Sequence, residues 1–161
     1  RRRKRKIVRV IQPSAGPLPV KLAGGFAGCL LVFSDASRRR QGGLAAVLFD
    51  DHEGEPLVAT RTVALGGSNE LELAAALFAL EEAARRFPGR QLALFSDNSD
   101  AVARLTRAAK LGLAQDAALQ AMCETPEVAL ALTGTSFCWV KAHATCRGNL
   151  LADQHAAAAA N

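Results

Sequence analysis

The chain has no tyrosine, one tryptophan and one methionine, and aromatic residues make up only 5% of it. Its surplus of Ala, Arg and Leu fits a GC-rich coding bias and carries no functional signal. No apolar run reaches the roughly 18 residues a membrane-spanning helix needs, so no membrane span is expected. No apolar stretch closely follows the basic residues at the start, so no secretory signal is read there. The four cysteines, Cys29, Cys123, Cys138 and Cys146, never fall at a two-to-four-residue spacing. That argues against a zinc site. Their scatter suits buried or free thiols in a reducing, intracellular setting. Nucleus, mitochondrion, cytoplasm and virion are not distinguished.

What is present is enough for one domain. The chain has 161 residues, half of them apolar, which can bury a sizeable core. Its net charge of +5 is uneven: Arg1–Lys6 is wholly basic, and Arg38, Arg39 and Arg40 form a second cluster. Positive charge of this kind points to a polyanion, usually nucleic acid. A solvated tail that aids solubility is the plain alternative.

The pattern predicts a basic arm or linker over residues 1–25 and a folded domain over 26–161. Pro13, Pro17 and Pro19 stop any long element in the arm, although Ile7–Ile11 alternates like an edge strand. Strands are expected at Phe26–Phe33, Leu44–Phe49 and Leu57–Leu65, joined by short turns into an antiparallel meander. A helix follows from Glu70 to Phe87, with Leu73, Leu77, Leu80, Ala84 and Phe87 as its apolar stripe. Glu81–Arg85 and Glu82–Arg86 read as ion pairs on its wet side. Pro88 and Gly89 end it. Gln91–Phe95 is a fully apolar strand, as expected inside a sheet covered on both faces. Two helices, Ser99–Leu111 and Ala114–Cys123, a strand at Thr135–Val140 and an alanine-rich helix at Asn149–Ala160 complete the order.

Four acids stand at the ends of these apolar elements: Asp35, Glu72, Asp97 and Asp153. A lone Asp at a strand end is usually a turn former. Four converging acids suit a different task. Phosphodiester hydrolysis needs an activated water and neutralisation of a developing oxyanion, which two divalent ions supply. Magnesium prefers hard oxygen ligands, and clustered carboxylates need a cation to offset their repulsion. Glu70 rivals Glu72 because the two flank the leucine stripe on opposite sides; Ala76, Ala79 and Ala83 leave room for close packing beneath Glu72. Asp100 is a rival to Asp97.

The segments around these acids carry a resemblance. Phe33-Ser34-Asp35-Ala36-Ser37, Asn69-Glu70-Leu71-Glu72-Leu73-Ala74-Ala75, Phe95-Ser96-Asp97-Asn98-Ser99 and Trp139-Val140-Lys141-Ala142-His143, with Asp153 following in register, are similar to the motifs of the ribonuclease H family. The resemblance covers roughly Gly28 to the C-terminus and favours Glu72 over Glu70. It implies an α/β, ribonuclease H-like fold: a five-stranded mixed sheet, three antiparallel strands then parallel strands, flanked by helices. It implies an endoribonuclease that hydrolyses the RNA strand of RNA–DNA hybrids by two-metal-ion catalysis with Mg2+, or Mn2+ as a substitute. Asp35 is assigned as the bridging ligand, Glu72 and Asp97 to one ion and Asp153 to the other. His143 is assigned to proton transfer or product release. Ser68 and Asn69 match the family's loop that reads the hybrid's minor groove, with helix capping as their other role. Ser37, Arg38, Arg39, Arg40 and Asn98 are further expected nucleic-acid contacts. Trp139 is expected in the core. The segment between Asp97 and Trp139 is short and lacks a basic, Trp-bearing helix, as in the ribonuclease H domains of reverse transcriptases. A stand-alone enzyme and a domain of a retroelement polyprotein both fit. A non-catalytic ribonuclease H-fold component of a ribonucleoprotein, binding RNA through the arm, is the reading from another class.

Overall fold

The computed structural model describes residues 16–141 and 146–161. Three strands come first: β1 (Leu30–Arg38), β2 (Gly42–Phe49) and β3 (Leu57–Val63). Helix α1 (Ser68–Arg86) leads to β4 (Leu92–Ser96). Then follow α2 (Ser99–Leu111), α3 (Ala117–Met122), α4 (Pro126–Thr133), β5 (Ser136–Trp139) and α5 (Arg147–Ala159). The strands form one sheet in the order β3-β2-β1-β4-β5, with β1–β2 and β2–β3 antiparallel and β1–β4 and β4–β5 parallel. This is the expected mixed sheet. Among the described residues no helix is long and apolar enough to cross a membrane.

The central strands are apolar without a break because both of their faces are covered. Alternate residues go to opposite sides. Leu30, Val32, Leu44, Ala46, Leu48, Leu92 and Leu94 join one core with α1, α2, α3 and α4. Leu31, Phe33, Val47, Phe49, Ala93 and Phe95 join the other with α5. Phe33 stacks on Phe95 at 5.0 Å and meets Phe49 edge-on at 5.9 Å. Leu18, from the segment read as arm, is buried in this second core, and Phe26 meets Phe95 edge-on at 5.3 Å.

Several local expectations are corrected. β1 begins at Leu30, because Phe26 takes φ 61° and Gly28 φ 79°, which bend the chain rather than extend it. The stretch read as one helix from Ala114 is divided: a 3-10 turn, Leu113–Gln115, ends at Asp116, whose side chain then caps α3 through Leu119 N–H. α4 was missed. Its sequence signal is Thr125, which caps Val128 N–H, followed by Pro126 at the first helical position. Glu82 is buried rather than wet and binds both Arg85 and Arg86 at 2.7 Å, whereas Glu81 faces Arg61 across β3 at 3.7 Å.

α5 lies against the sheet at two glycines. A Cβ on Gly43 of β2 would overlap the Ala156 carbonyl, and one on Gly148 would overlap the Phe33 ring. Thr62 Oγ1 donates to Ala159 O at 2.7 Å and Gln41 N–H to Ala160 O at 3.1 Å, fixing the other end. Gly148→Ala therefore sets two effects against each other. Helix propensity favours Ala by about 1 kcal/mol. Overpacking against a fully buried ring costs roughly 1–3 kcal/mol and should dominate. We expect a lower denaturation midpoint at constant slope; an equal or higher midpoint would show that α5 shifts freely on the sheet.

Candidate active site

Each carboxylate is delivered by an element that the core holds rigid. Asp35 stands in β1 beyond the buried run Leu30–Ser34, and is itself only 3% exposed. Glu72 lies in the second turn of α1 and is 8% exposed, whereas Glu70 points to solvent. Asp97 follows the last residue of β4. Ligand oxygens of Asp35, Glu72 and Asp97 all lie within 4.8 Å of one another. The structure brings Glu72, and not Glu70, into this group. Asp100 is exposed in the first turn of α2 and is not part of the cluster. Asp153 is exposed on α5 and outside the group of three, but close enough for its charge to act on Asp35 and Glu72.

The cluster is electrostatically unfavourable by itself. Burial, then the neighbouring Glu72 and Asp97 charges, push the Asp35 carboxyl up to about 9. Burial and the Asp97 charge push Glu72 up to about 7. The Ala36 N–H donates to Asp35 Oδ1 at 2.9 Å and opposes part of this. Glu72 Oε2 is buried with no hydrogen-bond partner among the described residues. A buried carboxylate with one unpartnered oxygen, gathered with two further carboxylates, fits a hard divalent cation, and among the described residues no sulfur or imidazole ligand joins the group. Asp35, Glu72 and Asp97 are therefore the residues that could hold a metal.

The flanks of the site are held by hydrogen bonds that pattern reading missed. Trp139, expected in the core, is 52% exposed; its indole N–H donates to the Asp97 backbone carbonyl at 3.0 Å. Trp139 pairs with Ser96 across β4–β5, so its place one strand over from Asp97 follows from register alone. Asn98 Oδ1 caps α2 through Ala101 N–H at 2.8 Å, and its Nδ2 donates to Asn69 Oδ1 at 3.3 Å. The starts of α1 and α2 are thereby joined. Gly67, not Ser68 or Asn69, is the N-cap of α1, without a side-chain cap bond. Ser68 and Asn69 are exposed instead, as are Arg38, Arg39 and Arg40, while Ser37 and Asn98 are half-buried. Asn149 is buried and donates from Nδ2 to Lys141 O at 3.4 Å, tying α5 to the end of β5; a polar residue four before Asp153 was the available signal. His143 lies outside the described residues.

Comparison with known proteins gives a consistent result. The family model described as RNase H matches residues 28–161. No curated protein matches the chain. Among solved structures, ribonuclease H1 from Halobacterium salinarum is 22% identical with a TM-score of 0.59, over 82% of this chain and 97% of that one. The N-terminal ribonuclease H domain of Rv2228c from Mycobacterium tuberculosis is 19% identical with a TM-score of 0.60, over 83% and 94%. The compost-derived LC11 ribonuclease H1, solved in complex with an RNA/DNA hybrid, is 15% identical with a TM-score of 0.56, over 78% and 92%.

Two predictions come from this geometry. The ordinary values are 3.8 for Asp35 and 4.5 for Glu72, so both folded-state values are raised. Without divalent metal the folded state keeps protons that the unfolded state has lost, and stability falls as pH rises. That contribution is complete below about pH 4 and is lost through about pH 7 to 9. The thermal midpoint of metal-free protein should decline across neutral to alkaline pH. Asp35→Asn should flatten the decline, and a wild-type midpoint that rises with pH would refute the burial of this cluster.

Trp139→Phe keeps a ring and removes the N–H. A net hydrogen bond of about 1 kcal/mol corresponds to roughly fivefold. Divalent-metal affinity, measured by titration calorimetry, should fall by about that factor, and an unchanged value would make the bond incidental.

Proposed function

The chain belongs to the ribonuclease H family, and from that membership we propose that it hydrolyses the RNA strand of RNA–DNA hybrids. The observation that carries the reading is the triad of buried Asp35 and Glu72 with half-buried Asp97, with ligand oxygens within 4.8 Å and a Glu72 oxygen left without a partner among the described residues. Asp35, Glu72 and Asp97 would hold one divalent ion, and Asp35 with Asp153 a second; magnesium suits the all-oxygen set, with manganese as a substitute. Such ions supply Lewis acidity to the phosphate and lower the pKa of a bound water.

The remaining work falls to the chain's own groups. The buried walls of the triad keep the three carboxylates at fixed separation, so little reorganisation accompanies the reaction. Ser37, Ser68, Asn69 and Asn98 are neutral and polar, the residue types that can hydrogen-bond ribose hydroxyls and base edges in a minor groove. That chemistry distinguishes a hybrid from duplex DNA, which has no 2′-hydroxyl. Arg38, Arg39 and Arg40 are exposed at the β1–β2 turn and would meet phosphates. His143 follows the strand that carries Trp139 and would move a proton to or from the leaving oxygen. The hybrid complex of LC11 ribonuclease H1, on the same fold, supports the choice of substrate.

The test is cleavage of a labelled hybrid beside duplex DNA and duplex RNA, with and without magnesium. Only the hybrid should be cut, and only with metal. Asp35→Asn, Asp97→Asn and Glu72→Gln should each lose several orders of magnitude in rate, while Glu70→Gln stays near wild type. His143→Ala should slow turnover within the ~10²–10⁴-fold typical of proton transfer. Near wild-type cutting by Asp35→Asn, or equal cutting of duplex DNA, would refute the assignment.

A further inference from the structure

We propose that the strap Gly16–Leu18 is a positioning element of the active site: it caps the start of α5 and so fixes where Asp153 stands relative to Asp35. The proposal rests on the reading in which Asp35 and Asp153 share a second divalent ion.

Asp153 is placed differently from the other three acids. Asp35 and Glu72 are buried, and the backbone at Asp97 is bonded by the Trp139 indole. Asp153 is exposed, and it acts on Asp35 and Glu72 through its charge. Its position is therefore that of α5 as a whole. α5 has 13 residues, and Asp153 lies six from either end. That is about 9 Å along the axis in each direction. Packing at Gly43 and Gly148 sets the distance of α5 from the sheet. Its direction across the sheet depends on what holds its two ends. The far end is held by the bonds from Thr62 and Gln41 to Ala159 and Ala160. Were these the only tether, a tilt of about 10° about Ala159 would move Asp153 by more than about 1 Å. A displacement of about 1 Å is enough to cost about 10²-fold in rate.

The near end is held by the strap. The first N–H groups of a helix have no partner within it, and Ser, Thr, Asp or Asn at the N-cap usually supplies one. The N-cap of α5 is Cys146. Here the Arg147 N–H donates to Gly16 O and the Gly148 N–H to Pro17 O, each at 3.2 Å. These carbonyls are themselves fixed. Pro17 and Pro19 restrict the backbone on both sides of Leu18. Leu18, 4% exposed, enters the core shared by Phe33, Phe95, Cys146 and Ala152, the last of which precedes Asp153. Leu22 and Phe26 return to the same core, with Phe26 edge-on to Phe95 at 5.3 Å. The Arg147 side chain adds a bond to Glu55 at 2.8 Å, but the Glu55 side chain is 87% exposed, and such surface pairs contribute little. The family model begins at residue 28, so the strap lies outside the matched region.

The test compares Leu18→Ala and the milder Leu18→Val with Leu119→Ala, which empties a fully buried site in the other core. All are made in the full chain. Amide exchange should show Arg147 and Gly148 losing protection relative to β1 in the Leu18 variants but not in Leu119→Ala. Calorimetric titration with magnesium should resolve two sites in the wild type, and Asp153→Asn should remove the weaker. Leu18→Ala should weaken that same site by about 10–100-fold, the usual effect of losing a group that orients a ligand, and leave the tighter site unchanged. The magnesium concentration that half-saturates hybrid cleavage should rise by a similar factor, with kcat recovered at saturation. Leu18→Val should act in the same direction by less, and it carries the comparison if Leu18→Ala does not fold. Unchanged metal affinity in the Leu18 variants overturns the positioning role. So does an equal loss in Leu119→Ala, which would trace the effect to general stability. A single site in the wild type, or two sites left intact by Asp153→Asn, would instead refute the shared-ion reading itself.

Discussion

Three carboxylates held within 4.8 Å, two of them buried and the third half-buried, are the constraint on which the rest of this structure depends. Burial and the neighbouring charges disfavour the ionised forms of Asp35 and Glu72 and push both toward holding protons. Local hydrogen bonds, such as that from the Ala36 N–H, relieve this only in part, and one Glu72 oxygen has no partner among the described residues. The arrangement persists because each acid is carried by an element whose position is set elsewhere. β1 is apolar on both faces before it reaches Asp35, and β4 before it reaches Asp97. α1 presses Leu73, Ala76, Leu80 and Ala83 into the same core that fixes Glu72. Core burial, worth roughly 25 cal/mol per Å² of apolar surface, is large enough to hold such a cluster against its repulsion.

The same logic explains the less obvious contacts. A carboxylate just beyond a strand has lost the ladder that orients it. Here the Trp139 indole bonds the Asp97 carbonyl, and Ser96 Oγ accepts the next N–H, from Asn98, at 3.2 Å. Asn98 and Asn69 then link the two helices that start nearest the site. Asp153 is held differently, through the close seat of α5 on Gly43 and Gly148. Small residues set how closely the helix approaches, and the C-terminal carbonyls bonded to Gln41 and Thr62 set its register.

Much of this was legible from the chain alone, for a physical reason. Strands buried on both faces and a long amphipathic helix leave strong periodic signals, and all five strands and α1 were found near their places. Asp35 and Asp97 were legible because each follows a buried apolar run, in β1 and after β4. What periodicity could not give was the choice of Glu72, since both candidates flank one stripe; tertiary packing buries one and exposes the other. α4 is only eight residues, too short for its pattern to stand out from its Thr-Pro start. Trp139 was misread because a lone Trp after a strand normally packs inward, whereas β5 is an edge strand and its end is open. Glu82 was misread because pair spacing says nothing about which side of a helix a second layer covers.

The acidic centre also dictates how charge must be distributed over the rest of the chain. A site that gathers anions to hold cations has to receive a substrate that is itself an anion. Metal offsets the repulsion at the scissile phosphate but not along the neighbouring backbone, where interactions still act over a Debye length of about 8 Å. Cations are therefore needed near the centre but not within it, because an arginine inside the triad would compete for the oxygens meant for metal. The described domain commits most of its arginines to ion pairs with its own carboxylates and leaves Arg38, Arg39 and Arg40 exposed at a turn beyond Asp35. The remaining positive charge is concentrated in sequence at Arg1–Lys6, outside the described residues. Under the proposed reading, cations kept out of the triad would leave its oxygens to a metal while still meeting a polyanion nearby.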